Sequence, residues 1–197
     1  MRDVYDFAKF FIKNGADSSP NTYDGNMKLQ KLLVFADLAN IAEYGEPLFG
    51  DQVLAFKNGC VVEKVRLRYK NDYVAFYNDS KSYQPDFSER EYEILRLILD
   101  IFGNATAKEL SEINHTFSFW KSAFINGTSS TGYHDKEQSV VDMMSQESDL
   151  NRMREIISAY KETSSEVESS ETINGVTFFF DGFVLTDDLM DQLVLES

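Results

Sequence analysis

Apolar positions along the first 44 residues recur with the period of a helix. Val4, Phe7, Ala8 and Phe11 fall at i, i+3, i+4 and i+7 behind Asp3, a residue suited to capping a helix start. Asn14-Gly15 ends that stripe, and Ser18-Ser19-Pro20-Asn21 reads as a loop. A second stripe, Leu29, Leu32, Leu33, Ala36 and Ala39, predicts a helix from about Lys28 to Tyr44, stopped by Gly45 with Pro47 just beyond. Val53 to Lys57 is a short β-like run closed by Asn58-Gly59, and a brief helix is expected from Val61 to about Tyr69. Between Asn71 and Tyr83, aromatic residues dotted with Asn, Asp and Ser fit a strand or an irregular loop, and the pattern does not choose.

The clearest local signals come later. Ser88 and Glu91 form a capping box ahead of Leu95, Ile98, Leu99 and Phe102, with Gly103 as the stop. Thr106 and Glu109 form a second capping box, opening a short helix through Leu110 and Ile113. Residues 126–134 read as a loop, with helices expected around Glu137–Met144 and Asp149–Tyr160. Thr163 to Thr172 is Ser/Glu/Thr-rich and reads as a solvated linker. Asn174-Gly175 and Asp181-Gly182 then bracket Val176–Phe180 as hairpin-turn dipeptides, and Asp187 caps a last short helix. These elements predict an α+β protein: a mainly α-helical single domain with a short β-strand element and a small C-terminal β-hairpin or meander. The division expected is a helical domain over 1–161, an acidic Ser-rich linker over 162–172 and an appendage over 173–197. So short a β-unit cannot stand alone, and must pack on the domain or on a partner.

Composition narrows the function classes. The 197 residues carry a formal net charge of −14, which argues against neutralising phosphates of nucleic acid or docking on anionic lipid. The tight turn between the two capped helices resembles a helix-turn-helix, but the second helix is not basic. Residues 155–197 hold ten acids and one base, so most of the negative charge sits in the last fifth of the chain. Inside this acidic protein Lys57, Lys64, Arg66, Arg68 and Lys70 form a basic island, either a solvated helix face or a docking patch for acids of a partner or of this chain. A single cysteine, Cys60, fits a reducing, cytoplasmic location, and no run approaches the roughly 18 apolar residues of a membrane span.

Motifs for catalysis are weak. Cys60, His115 and His134 are three residues able to ligate a metal, but their spacing matches no familiar site. A Cys60–His115 nucleophilic pair would need an orienting acid and an oxyanion pocket. The plainer reading is a small buried thiol, a hydrogen-bonded histidine and a loop histidine. The expectation is therefore a protein that is not an enzyme and holds no cofactor or metal.

Three ordered segments carry a resemblance. Met27-Lys28-Leu29-Gln30-Lys31-Leu32-Leu33-Val34-Phe35-Ala36 is followed by Tyr44-Gly45-Glu46-Pro47-Leu48-Phe49, then by Ala55-Phe56-Lys57-Asn58-Gly59-Cys60-Val61-Val62. Ala107–Ser111 and His115–Trp120 supply a later signature. Together, over about residues 1–145, they resemble the Panacea antitoxin domain family, also called the SocA-like or phage-associated protein family. Cys60 stands where the family usually has Pro, Phe119 where it usually has Pro, and Phe56 where Trp is common. Lys28, Gln30, Gly59, His115 and Trp120 match the family pattern, with a structural network favoured over partner contact as their role.

The resemblance implies an antitoxin of a toxin–antitoxin system that neutralises a protein toxin by direct binding. Many members occur in phages and prophages, and the cognate toxin is expected from a neighbouring gene. A proteolytic adaptor handing a toxin to a Clp-type protease is the alternative, and a hydrolase or metal-dependent enzyme using His115 is the alternative from another class. Candidate partner contacts are the aromatic run Phe178, Phe179 and Phe180, the acids Asp187 and Asp188, and the basic Lys64, Arg66 and Arg68.

Overall fold

Asp3 accepts a hydrogen bond from the Tyr5 amide and starts α1 (Val4–Lys13), whose Phe7, Ala8 and Phe11 are buried as their spacing predicts. The computed structural model describes residues 1–167, 171–173 and 176–178. After α1 comes the longest helix, α2 (Tyr23–Tyr44), which ends at Gly45 in the left-handed region. It begins several residues before the apolar stripe does, because the Thr22 hydroxyl caps the Gly25 amide.

Helix α2 is buried on every side rather than along one stripe, the mark of a helix at the centre of a fold. It touches α1 and also α3 (Glu63–Asn71), α5 (Glu89–Phe102), α6 (Ala107–Thr116), α8 (Glu147–Val167) and strand β2 (Gly59–Val62). Its buried polar side chains serve main chain elsewhere. Lys28 Nζ donates to Gly103 O at 2.7 Å, Lys31 Nζ to Cys60 O at 2.9 Å and Asn40 Nδ2 to Glu46 O at 2.6 Å. Gln30 Oε1 accepts from Val62 N at 2.9 Å and Asp37 Oδ1 from Leu48 N at 2.7 Å. Connecting segments that enter a core bring unpaired amides and carbonyls with them. One helix meets that need for three of them.

Strand β1 (Val53–Phe56) pairs antiparallel with β2 in a register that sets Val53 against Val62 and Phe56 against Gly59. Val61 and Val62, expected in a helix, are the end of this hairpin; α3 begins at Glu63 because both valines are buried in the ladder against Leu54 and Val53. The segment read as a helix over Glu137–Met144 is instead extended at its centre. Ala55 N donates to Ser139 O, Val141 N donates to Val53 O, and Leu54 bridges Val140, so the segment satisfies the free edge of β1.

The undecided stretch after Asn71 is helix α4 (Tyr73–Ser82), with Phe76 buried edge-on to Tyr5 at 5.8 Å between ring centres. Both predicted capping boxes form, on α5 and α6. A further helix, α7 (Ser118–Gly127), has its first amides bound by Asp149, whose Oδ2 accepts from Phe119 N at 2.8 Å. Helix α8 continues through Val167, into the stretch whose composition reads as a linker, with Thr163 and Ser164 hydroxyls bonding back to Ala159 O and Tyr160 O. Strands β3 (Glu171–Ile173) and β4 (Val176–Phe178) pair antiparallel. The fold is thus mainly helical, with a small two-stranded antiparallel sheet at β1–β2. Phe179, Phe180, Asp187 and Asp188, with the expected last helix, lie outside the described residues.

Candidate functional site

The residues that carry the sequence resemblance converge on the β1–β2 hairpin. Trp120, on α7, donates its indole N–H to Phe56 O at 2.9 Å. Ser111, on α6, donates to Asn58 O at 3.0 Å, and His115, near the end of the same helix, packs its ring against Trp120. Asn114 Oδ1 accepts from Cys60 N at 2.7 Å, Lys31 Nζ reaches Cys60 O, and Gln30 holds Val62 N. Side chains from three helices therefore hold successive main-chain groups of a single turn. Lys28 lies apart from this group, on the α5–α6 turn at Gly103.

Gly59 is fixed by the same packing. Its φ is +91°, and a Cβ there would lie 2.5 Å from Asn114 Oδ1 and 2.6 Å from Lys31 Cε. Only glycine both adopts that backbone and admits that approach. Where the family pattern has Pro, Cys60 contributes an N–H, and Asn114 receives it.

The site's titration follows its burial. Lys31 is 1% exposed, and desolvation pulls its ammonium down to about 8. The Cys60 thiol is fully buried and pushed up to about 12 by desolvation, against smaller opposing effects of Lys31 and the Asn114 side chain. A thiol held protonated is a poor nucleophile. Burial, and then the charge of Lys31, lowers the pKa of His115, whose ring lies 4.1 Å from that of Trp120. His134 packs separately, beside Phe56 and Phe124, with Nδ1 3.4 Å from Thr128 Oγ1. Among the described residues no group of three or more His, Cys, Asp or Glu is placed to hold a metal.

Beside the hairpin, between the start of α2 and helix α3, lies a cavity of about 500 Å3. Tyr23, Phe56 and Tyr69 supply aromatic surface, and Lys31, Lys57, Arg66 and Lys70 supply cations. Asn58 Nδ2 donates to Tyr23 OH at 2.5 Å, tying the hairpin tip to the first turn of α2.

The basic island is divided by the structure. Lys64 pairs with Asp3 at 2.8 Å and Asp51 at 3.4 Å, Arg66 with Glu63 at 2.6 Å, and Arg68 with Asp79 at 2.6 Å. Lys57 and Lys70 are exposed and have no ion-pair partner among the described residues. Sequence reading missed Asn114 and did not single out Lys31, Ser111 or Tyr69. The available signal was spacing: Ser111 and Asn114 sit three apart on one face of α6.

A mainly helical domain whose buried polar side chains grip one short hairpin is the class these features define. Residues 29–121 match the family described as antitoxin SocA-like, Panacea domain. The matched span runs from Leu29 within α2 through the hairpin and α6 and ends just after Trp120. No curated protein and no solved structure matches the chain. Among the described residues, no helix is long and apolar enough to cross a membrane.

Proposed function

We propose that this protein is an antitoxin that neutralises a protein toxin by direct binding, without a catalytic step of its own, in the cytoplasm. The observation that carries the reading is the Panacea match over residues 29–121, the span that holds the gripped hairpin. A hairpin held by α2, α6 and α7 is a rigid support, and little conformational entropy is lost when a partner docks on it. In this reading the appendage residues Phe178, Phe179, Phe180, Asp187 and Asp188 contribute to the contact. Lys64, Arg66 and Arg68 contribute less, because each already faces an acid of its own chain.

The partner is expected from a neighbouring gene, so the test is co-expression with that product. Growth arrest by the neighbour alone, rescue by this protein, and recovery of both in one complex support the reading. Toxicity that persists at matched expression overturns it. Rescue that disappears in a strain lacking Clp-type proteases, with the toxin then accumulating, assigns proteolytic delivery instead of direct inhibition.

A further inference from the structure

The cavity beside the hairpin has an unusual polarity for this molecule. The whole chain has a net charge of −14, yet the lining contains Lys31, Lys57, Arg66 and Lys70 and no aspartate or glutamate. Two acids of neighbouring segments are already engaged. Glu63 bonds Arg66 and Lys136, and Asp17 accepts from the hydroxyls of Tyr69 and Tyr73.

Several neutral polar groups of the lining are also committed. Asn26 Nδ2 donates to Arg66 O, Gln30 Nε2 donates to Asn26 Oδ1, and Gln30 Oε1 takes the Val62 amide. Asn58 is tied to Tyr23. The donors left over are the Asn21 side-chain amide and the Tyr23 hydroxyl at the start of α2, and cations. Lys31 gives one N–H to Cys60 O and has no other protein partner among the described residues, while Lys57 and Lys70 have no ion-pair partner there. A ligand entering this space meets cations and aromatic rings.

From these observations we propose that the cavity binds a small organic phosphate of nucleoside-phosphate size. A volume of about 500 Å3 is within the range of small-molecule sites, and its walls are held in place by the hairpin clamp. Tyr23, Phe56 and Tyr69 offer surface to a flat ring. Three lysines without an ion-pair partner among the described residues, Lys31, Lys57 and Lys70, with the Glu63-paired Arg66 beside them, suit a multiply charged phosphate better than a single carboxylate. The start of α2, where the cap Thr22 with Tyr23 and Asn26 lines the space, adds its positive dipole end, offset in part by Asp24 in the same turn. None of this depends on the identity of a toxin.

The test uses the full chain and a defined probe set: AMP, ATP and GTP, with adenosine, inorganic phosphate, pyrophosphate and citrate at matched ionic strength. Thermal unfolding and titration calorimetry read binding. A nucleotide is expected to raise Tm by several degrees at saturating concentration, while adenosine and inorganic phosphate do not. The Lys57→Glu, Lys70→Glu double variant alters two exposed side chains, so its unliganded Tm stays unchanged while nucleotide affinity falls at least about tenfold. Failure of all three nucleotides to bind overturns the proposal. So does equal binding by the double variant, or equal stabilisation by citrate and inorganic phosphate, which would mark general anion screening.

Discussion

Asp37 shows what a buried polar group on the central helix does. It is 4% exposed, and its carboxylate accepts from the Leu48 amide while desolvation raises its pKa to about 7. In the unfolded chain the group titrates near 3.8. Between those values the folded protein holds a proton that the unfolded chain has released, so this group's contribution to stability is full below about pH 4 and is lost as pH rises through 7. Asp37→Asn keeps an oxygen for the Leu48 amide and removes the titration. Urea unfolding at intervals from pH 4 to 8 should show a flatter profile in the variant; identical profiles would refute the assignment. Lys31 has the opposite sign: a pKa lowered to about 8 gives a contribution that grows as pH rises above 8.

At the scale of elements, the hairpin is a four-residue pair of strands that would be marginal alone and is held by side chains from α2, α6 and α7. Trp120→Phe leaves Phe56 O without its donor, and Asn114→Leu leaves the Cys60 amide without its acceptor. Each should cost about 1–3 kcal/mol in urea unfolding. Because both act on one turn, the double variant should depart from additivity by about 0.5 kcal/mol or more. Additive losses would mean that the turn does not respond as a unit. Elements whose determinants are local were legible in the sequence: the two capping boxes, the Asp3 cap and the Gly45 stop. Residues 137–144 were not, because their partner is the edge of β1, more than 80 residues away in the chain. Helix α4 was obscured by aromatic residues that favour strands until Phe76 is packed on α1.

For the whole molecule, the segments that resemble a family lie far apart in sequence and meet at one place. Gln30, Gly59, His115 and Trp120 could be picked out as matches, but the hairpin that Gln30 and Trp120 bond, and beside which His115 packs on Trp120, is a property of the assembled fold. Asn114 had no motif position to announce it, and the cationic lining of the cavity was diluted within an acidic chain. The fold's integrity can be followed through its single cysteine. Cys60 is fully buried, with its thiol pushed up to about 12, so a thiol reagent should leave the native protein unmodified at neutral pH and react fully in denaturant. Rapid labelling without denaturant would show that the hairpin opens independently of the domain.

Apart from the Asn58–Tyr23 bond, the hydrogen bonds that secure the turn run to carbonyls and amides of Phe56, Asn58, Cys60 and Val62, not to their side chains. Such an attachment is indifferent to most of what the tip displays, with Gly59 and Asn58 the exceptions. Lys57 is exposed at that tip and its side chain takes no part in the mounting, so substitution there can change the displayed chemistry while the mounting stays the same. The arrangement works as a socket that accepts different bits, giving this part of the protein freedom to diversify in sequence at little risk to its folding.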